Sequence, residues 1–457
     1  MTKKKSLVTV LVVLVVVIAL SCWVWSRWDA WFRNVSELPY TPPGTPHRVL
    51  LTFGGRDQLS RNVSWQCDTI GHDAWLELAR PDAGDTVRIA ASGEVFRSRS
   101  GQAAYYVARL RQLTPGSHNS YRAVTAGKTS PWYQFRVPPL RPDRADFLYV
   151  GDVQDTLGGV TNSILRQALA RHPQSEFLVC GGDLTERPTN QHWEETFADI
   201  DSIGQTLPLL TVTGNHDYLK GVIMRLERRF PLIFSYFLDA KVADNQVYSL
   251  RYGPVQFFLL DSNRELPYLL TQRSWLEQQL RASTAPWKIL VLHHPLFSIK
   301  GSNNLIQRWV FNDLVEAYGV DLVLQAHEHA YARMTRHDDH GRATTPVYTV
   351  SHCSPKNYRI EFSDRFDRFG ISSRYYQTIS IHADTLTLAA YEVYGHNLYD
   401  SLQIVKHHGQ AHIRDLARAI PEHMEYTPDP NNRSDQAFAQ RIADYKRRHP
   451  ERLKSRP

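Results

Sequence analysis

Five short apolar runs in this chain end in side chains that bind metal ions well. The end motifs are Gly151-Asp152-Val153-Gln154, Gly182-Asp183, Gly214-Asn215-His216-Asp217, His293-His294 and His327-Glu328-His329. Carboxylates, one amide and several imidazoles from separate segments are the ligands that a pair of divalent or trivalent cations requires. A lone Asp after a strand is common turn chemistry, and a lone buried His is usually a hydrogen-bonded core residue. Five such ends in one region favour a metal site.

The apolar runs alternate with segments of helical spacing. Apolar residues recur at helix-face intervals within 160–169 and 305–314. Alternating strands and helices predict right-handed crossovers around a partly parallel sheet, with residues 247–260 as a hairpin in the same layer. Because ligands gather beyond the carboxyl ends of the strands in such a sheet, we expect all five motifs at one rim.

An all-β module precedes this α/β part. Short runs rich in Val, Tyr, Trp, Phe and Thr, punctuated by Gly, Pro, Asp and Ser, predict an antiparallel sandwich over residues 46–140. The predicted strands lie around 49–52, 63–67, 75–78, 87–90, 105–110, 121–124 and 133–137. The α/β domain is predicted over 144–405, and the polar, basic end 406–457 as a surface helix or frayed tail.

The N-terminus predicts export. Lys3 to Lys5 precede an uncharged, largely aliphatic stretch, and residues 1–28 form the predicted leader. The segment is long enough for an uncleaved anchor, while Ala19-Leu20-Ser21 resembles a signal-peptidase site and Cys22 resembles a lipid-acceptor cysteine. All three interpretations place the chain outside the cytoplasm, at the periplasm or cell surface, and two of them keep it on the membrane.

Composition narrows the class of protein further. The chain has 457 residues, of which 42% are hydrophobic and 22% charged, so it is neither disordered nor a polytopic membrane protein. A net charge of +7 without an interleaved recognition motif argues against nucleic-acid binding. The three cysteines beyond the leader do not form a disulfide framework, and oligomeric state is left open.

The ordered motifs resemble those of the calcineurin-like metallophosphoesterases and, within them, the purple acid phosphatases. The His-His-Pro after an apolar strand and the His-x-His-Ala-Tyr ending at Tyr331 belong to the same resemblance. Upstream, Leu113-Thr114-Pro115-Gly116 followed by Tyr121 resembles a strand corner of fibronectin type III domains. The resemblance implies a four-layer α/β core preceded by the all-β N-terminal domain of that family.

The resemblance also implies a role for each motif residue. Asp183 would bridge two metal ions, and His216 would be the catalytic proton donor beside the substrate phosphate. The other ligands would be Asp152 and His329 for the first metal, and Asn215, His293 and His327 for the second. The implied reaction is hydrolysis of phosphate monoesters, as in acid phosphatases, by a metal-activated hydroxide.

Two positions depart from the family pattern. Glu186 stands where purple acid phosphatases have a tyrosine ligand, and Gln154 stands where the wider superfamily has an imidazole. Either residue is a candidate third ligand of the first metal, and water is the alternative, so iron, manganese and zinc are all open as the metals. His294 and Arg333 are further candidates for contacts to a ligand or to the substrate. The alternatives are an inert polar neighbour of His293 for His294 and a structural ion pair, the favoured interpretation, for Arg333.

Two other functions fit the same residues. One keeps the metals and changes the substrate to a phosphodiester or a nucleotide. The other is a cell-surface binding protein whose first metal site has degenerated. Metal content and turnover separate the enzyme from the binding protein, because a binding protein with a degenerate first site would hold at most one metal per chain and show no turnover.

Overall fold

The computed structural model describes residues 2–70, 73–80, 84–221, 223–242, 245–301 and 304–454. Two sheets, of 15 and 7 strands, form most of this part of the chain. The larger sheet runs from an N-terminal all-β unit into the α/β unit that carries the five motifs. The predicted fold class, an α/β core preceded by an all-β sandwich, is confirmed.

The N-terminal unit is a sandwich whose strands coincide with all the predicted runs. Its strands are β1 His47–Phe53, β2 Arg61–Cys67, β3 Ala74–Arg80, β4 Asp85–Ser98, β5 Gly101–Leu110, β6 His118–Thr125, β7 Lys128–Thr129 and β8 Tyr133–Arg136. Residues 85–90 of β4 pair with β3 and residues 91–98 pair with β5, so this strand passes from one layer to the other. Buried side chains such as Trp65 and Tyr106, stacked at 5.5 Å, fill the space between the layers.

The α/β unit contains two sheets that pack face to face. In the first sheet lie β9 Arg144–Val150, β10 Leu178–Cys180, β11 Leu209–Thr211, β21 Tyr375–His382, β22 Thr385–Glu392, β23 Leu398–His407 and β24 Gln410–Asp415. In the second lie β14 Tyr248–Tyr252, β15 Val255–Leu259, β16 Trp287–Val291, β17 Leu322–Gln325, β18 Tyr331–His337, β19 Ala343–Val350 and β20 Arg368–Gly370. A small ribbon joins β12 Tyr218–Leu219 to β13 Arg225–Leu226.

The predicted placement of the 247–260 hairpin in the same layer as β9 to β11 is wrong. The hairpin β14–β15 forms as expected, but it pairs with β16 of the second sheet and not with β9 to β11. Alternate residues of a strand point to opposite faces. Phe257 therefore packs on Phe147 of the first sheet, with ring centroids 5.3 Å apart, while Phe258 faces the outer helices.

Helices cover the outer faces of both sheets and complete the four layers. On the first sheet lie α2 Thr161–Arg171, α3 Asn190–Asp199 and the short α4 Arg229–Phe234; on the second lie α5 Leu266–Ala282 and α6 Leu305–Ala317. Helix α2 buries Ile164, Leu165 and Ala168, the face predicted from spacing. Helix α3 begins where the Thr189 hydroxyl accepts a hydrogen bond from the His192 amide, an N-cap.

The C-terminal segment is part of the fold. Of the two predicted alternatives, the helix forms but packs into the core, and the frayed tail is wrong. The tail was expected to begin at residue 406, but Lys406 lies in β23 and pairs with Ala411 of β24. Helix α7, Arg433–Arg448, then buries Phe438, Ile442 and Tyr445 in the core of the second sheet. The 3-10 turn Pro450–Arg452 follows, and residues 455–457 lie outside the described part.

The N-terminus forms a helix, α1, Thr2–Phe32. Its Val10–Asp29 stretch is long and apolar enough to cross a membrane, a property that signal sequences share. The side chains of residues 1–9, with Lys3 to Lys5 among them, lie outside the described part. The helix thus fits the predicted leader as a signal peptide or an anchor.

The sandwich and the α/β unit share hydrogen bonds. Strand β1 pairs in parallel with β11 through Thr52 and Leu209. The Leu51 amide donates to the Gly204 carbonyl at 2.7 Å, and the Tyr121 hydroxyl donates to the Gln205 carbonyl at 2.8 Å. The two units therefore form one continuous sheet.

Candidate metal centre

The oxygen-bearing candidates come from the first sheet. Asp152, Asp183 and Asn215 follow the neighbouring parallel strands β9, β10 and β11, and their side chains lie at one rim. Asp152 and Asp183 have φ values of 40° and 51°, a left-handed conformation that non-glycine residues rarely adopt. A Cβ atom on Gly214 would lie 1.9 Å from the Asp183 Oδ1, so only glycine permits this approach.

The imidazoles come from the second sheet. His293 follows β16, while His327 and His329 follow the adjacent strand β17. His327 has a φ of 70°, and its amide donates to the Asp152 Oδ2 at 2.6 Å. Strained backbone at three candidate ligands marks a functional site, because such conformations persist only where the surroundings impose them.

One cluster centres on the Asn215 side chain. The Asn215 Oδ1 lies 3.1 Å from the His293 Nε2 and 2.8 Å from the His327 Nδ1, and those two nitrogens are 3.2 Å apart. The His293 Nε2 also lies 3.3 Å from the Asp183 Oδ2. Ligand atoms of Asp183, His293 and His327 all lie within 4.8 Å of one another.

The second cluster contains Asp152 and His329. The His329 Nε2 lies 3.5 Å from the Asp152 Oδ1, and both side chains are buried. Among the described residues the Asp152 Oδ1 has no hydrogen-bond partner. The His329 ring is fixed by the Tyr358 ring, stacked at 4.2 Å, and its Nδ1 lies 3.2 Å from the Lys356 carbonyl oxygen.

These residues fit metal binding. A buried carboxylate oxygen without a partner is costly in a protein interior unless a cation or water satisfies it. Two imidazole nitrogens that converge on one amide oxygen, beside the Asp183 carboxylate, offer lone pairs to a common point. The mixed oxygen and nitrogen donors suit iron, manganese or zinc.

Glu186 and Gln154, the two candidates for the third ligand of the first metal, differ in their surroundings. The Glu186 carboxylate is partly exposed and accepts a 2.5 Å hydrogen bond from the Lys356 ammonium group. Gln154 is buried, and its Nε2 donates a long 3.4 Å hydrogen bond to the Thr185 carbonyl. The Gln154 Oε1 has no partner in the described part of the chain.

His216 lies beside Asp183, at the solvent-exposed side of the group of candidate ligands. Its amide donates to the Asp183 Oδ1 at 2.8 Å, and its Nε2 lies 3.9 Å from the Asp183 Oδ2. The Nδ1 is 2.5 Å from the Glu186 carbonyl oxygen, so the proton on Nδ1 is held by the backbone. The side chain is 28% exposed, which leaves the ring open to a substrate.

Charge is unevenly distributed over the site. Burial lowers the pKa of His293, but the Asp183 carboxylate outweighs burial and raises the pKa to about 9. Burial would raise the pKa of Asp183, yet His293 and His216 hold it below its ordinary value. Burial, with the charge of His293, lowers the pKa of His294 to about 3, so His294 is neutral.

The remaining two candidates lie in different places. The His294 Nδ1 is 3.1 Å from the Ser262 hydroxyl, and its ring packs 4.3 Å from the His327 ring. Arg333 is not available to a substrate, and that alternative is wrong. It lies buried in β18 and donates to Asp400 at 2.7 Å and to Asp415 at 3.0 Å, which makes it a structural ion pair.

Two residues at the site escaped the sequence analysis. Asp261 accepts hydrogen bonds from the hydroxyls of Thr213 and Tyr218 and so holds the turn that carries Asn215. It stands directly after the apolar run of β15, the same signal that marked the other carboxylates. No sequence signal points to Tyr358, because its stacking on His329 depends on a loop.

Comparisons with known families agree with this arrangement. Residues 145–331 match the family model described as Calcineurin-like phosphoesterase. Residues 46–137 match the model described as Purple acid Phosphatase, N-terminal domain. The two matches follow one another along the chain in the order of the sandwich and the α/β unit.

Curated proteins and a solved structure are similar to this chain. Purple acid phosphatase 18 of Arabidopsis thaliana is 25% identical over 54% of this chain, which spans 56% of that protein's length. Fe(3+)-Zn(2+) purple acid phosphatase 12 of Arabidopsis thaliana is 22% identical over 66% of this chain and 68% of its own length. The fold is similar to that of purple acid phosphatase PPD1 from yellow lupin (Lupinus luteus) seeds, with a TM-score of 0.65 at 17% identity over 80% of this chain and 75% of that one. The chain therefore contains a calcineurin-like phosphoesterase domain, preceded by a domain of the type found at the N-terminus of purple acid phosphatases.

Proposed function

We propose that this protein hydrolyses phosphate monoesters outside the cytoplasm with the help of two bound metal ions. The observation that carries the proposal is the convergence of three oxygen donors from one sheet and three imidazoles from the facing sheet. When bound, two such cations polarise the phosphoryl oxygens and lower the pKa of water, which is the chemistry this reaction needs.

The side chains divide between the two metals. We assign Asp183 as the shared ligand, supported by the 3.3 Å from its Oδ2 to the His293 Nε2. The remaining ligands are Asp152 and His329 at the first metal, and Asn215, His293 and His327 at the second.

Gln154 is the better candidate for the third ligand of the first metal. Its Oε1 is buried beside the Asp152 loop and unpaired among the described residues, whereas the Glu186 carboxylate is already paired with Lys356. An amide oxygen is a neutral, hard donor, so this substitution suits hard cations such as iron or manganese.

His216 is the proposed proton donor to the leaving alkoxide. Because the backbone carbonyl of Glu186 fixes Nδ1, the Nε2 edge is the one that can transfer a proton. Proton transfer by a positioned imidazole typically contributes about 10²- to 10⁴-fold to a rate.

Helix α1 is the proposed membrane anchor. The 20 residues of Val10–Asp29 span about 30 Å as a helix, the thickness of a bilayer core. Trp23, Trp25 and Trp28 are exposed near its C-terminal end, where aromatic side chains favour the membrane–water interface.

The test combines metal analysis with turnover on the purified full-length chain. We expect two metals per chain and phosphate release from p-nitrophenyl phosphate in preference to its bis ester. Asp183→Asn should lose metal and turnover together, whereas Asp339→Asn, at an exposed position in the turn between β18 and β19, should change neither. Intact metal content without turnover of either ester would refute the proposed reaction.

A further inference from the structure

We propose that the mouth of the metal site faces the lipid surface that α1 enters, and that its substrate is the phosphate-monoester headgroup of a membrane amphiphile. The inference rests on the proposed function, since it names the substrate class of the same site. Hydrolysis breaks the bond between phosphorus and the lipid oxygen. Water supplies the new oxygen on phosphorus, and the lipid alcohol leaves with a proton.

The segment after α1 docks beside the metal site. The Asn34 side chain exchanges two hydrogen bonds with the Lys220 backbone, at 2.9 and 2.8 Å. The Glu37 carboxylate accepts a 2.6 Å hydrogen bond from the buried Arg229 guanidinium group. Asn34 stands two positions beyond the end of α1 at Phe32, a reach of roughly 7 Å. The end of the proposed membrane helix is therefore fixed next to the site.

One cleft joins the juxtamembrane residues to the candidate catalytic group. It encloses about 270 Å³. Its lining includes Arg33 and Asn34 from the segment after α1, Asn215 and His216 from the site, and Arg187 and Lys220. The cleft lining holds four basic side chains and one carboxylate, that of Glu186, which Lys356 pairs. This excess of positive charge favours an anionic headgroup at the level of the membrane surface.

Exposed apolar side chains surround the same end of the α/β unit. We call Ile223, Met224, Leu305, Ile306 and Trp309 the apolar rim. Ile223 is 61% exposed, Leu305 59% and Trp309 68%. They lie on the connections that follow β11 and β16, the strands whose ends carry Asn215 and His293. Exposed apolar clusters of this kind mark surfaces that contact lipid or protein.

Hydrogen bonds place the start of α6, which carries three of the five rim residues, near the candidate ligands. Glu328, between His327 and His329, accepts from the Ile299 amide at 2.6 Å and from the Asn304 Nδ2 at 3.5 Å. Helix α6 begins at the next residue, so its first turn flanks the site.

A lipid surface satisfies all three features together. The rim enters the boundary between headgroups and acyl chains, about 5–10 Å deep, while the cationic cleft receives the headgroup. Because α1 enters the same surface, the substrate stays at high effective concentration and the protein needs no separate docking partner.

The test uses the full-length protein in phosphatidylcholine vesicles that contain phosphatidate. Phosphate and diacylglycerol release are measured beside p-nitrophenyl phosphate turnover in the same vesicles. We expect the wild type to hydrolyse both. In the double variant Ile306→Ser, Trp309→Ser, the ratio of lipid to p-nitrophenyl phosphate turnover should fall about tenfold. The matched control is Trp132→Ser, an exposed tryptophan of the sandwich, which should keep the wild-type ratio.

Each outcome has a distinct meaning. Turnover of p-nitrophenyl phosphate with intact phosphatidate, or an unchanged ratio in the double variant, overturns the inference and leaves the proposed function standing. No turnover of either substrate by metal-loaded protein overturns the proposed function itself. A second measurement is independent of activity. The fluorescence of Trp309 and of Trp132 is obtained as the difference between the wild type and Trp309→Phe or Trp132→Phe. Brominated lipids should quench the Trp309 fluorescence and leave the Trp132 fluorescence unchanged. Equal quenching of the two would contradict the membrane contact.

Discussion

Loss of the Glu37 charge should destabilise the protein far more than loss of a matched surface charge. The Glu37 carboxylate lies 2.6 Å from the Arg229 Nη2, and both side chains are only 2% exposed. It also accepts from the Asn190 amide at 3.1 Å and lies 3.2 Å from the Arg99 Nε. Glu37→Gln keeps the shape of the side chain and removes its charge.

The magnitude follows from the burial of the pair. Removing one partner of a buried ion pair costs about 3–5 kcal/mol, because the other charge stays in a poorly solvating environment. Glu227 lies 3.5 Å from Arg229 and offsets part of this cost. Burial, against the attraction of Arg229, raises the pKa of Glu227 to about 7, so it ionises further once Glu37 is neutral. We therefore expect a loss of about 3 kcal/mol in the free energy of unfolding at neutral pH.

The same pair sets a pH dependence. Burial opposes ionisation of Glu37, but the hydrogen bond and charge of Arg229 prevail and lower its pKa below 4.5. Its contribution to stability is thus fully present above pH 4.5 and is lost as the pH falls through the lowered folded-state pKa. The difference between wild type and Glu37→Gln should shrink in acid.

Urea unfolding of the detergent-solubilised chain, followed by near-ultraviolet circular dichroism, measures the effect. Glu94→Gln is the matched control, since Glu94 pairs with the neighbouring Arg228 on the surface, with side chains 44% and 60% exposed. A surface pair contributes about 0–1 kcal/mol. A Glu37→Gln loss no larger than that of Glu94→Gln would refute the buried-pair reasoning. Faster amide hydrogen exchange in residues 33–40 of Glu37→Gln than in the wild type would show that the loss of stability is located in this segment.

Three further predictions concern the metal site and its surroundings. Gln154→Ala should reduce the metal content from two ions towards one, whereas Glu186→Ala should keep both; elemental analysis decides, and equal content in the two variants contradicts the ligand assignment. Because Glu186 replaces the tyrosine of purple acid phosphatases, the metal-loaded protein should lack an intense visible charge-transfer band, and a strong band in its absorption spectrum would contradict this. Burial, together with the Asp155 charge, raises the pKa of Asp199 to about 8, so stability falls as the pH rises from 3.8 to about 8. Asp199→Asn should raise the melting temperature at about pH 8 and leave it near wild type at about pH 4, and an equal change at both values would contradict the assignment.

The elements that follow from local patterns were predictable. The sandwich strands have period-two patterns and turn residues at their ends, so all the predicted runs became strands. The ends of β9 to β11 and of β16 and β17 were equally readable, because Asp, Asn and His recur directly after apolar runs at all five of them. Asp261 carries the same signal, directly after the apolar run of β15.

Features that depend on long-range packing were not predictable. The hydrophobic pattern of a strand does not show which of the two facing sheets it joins, because buried strands are apolar on both faces. Arg333 follows the ligand motif in sequence, yet its strand turns it towards Asp400, whose position only the fold reveals. Helix α7 was underestimated because its composition is polar, although Phe438, Ile442 and Tyr445 have the spacing of a buried helix face.

The ladder between β1 and β11 bears on how the protein can be dissected. Leu50 and Phe53 of β1, with Tyr105 of β5, lie in the same hydrophobic cluster as the interior of the α/β unit. A fragment that starts after the sandwich would expose the β11 edge and an apolar surface, both prone to aggregation. The sandwich and the α/β unit also cannot rotate against each other unless the backbone hydrogen bonds between β1 and β11 break. Expression trials and domain-swap chimeras should therefore treat residues 46–454 as a single piece.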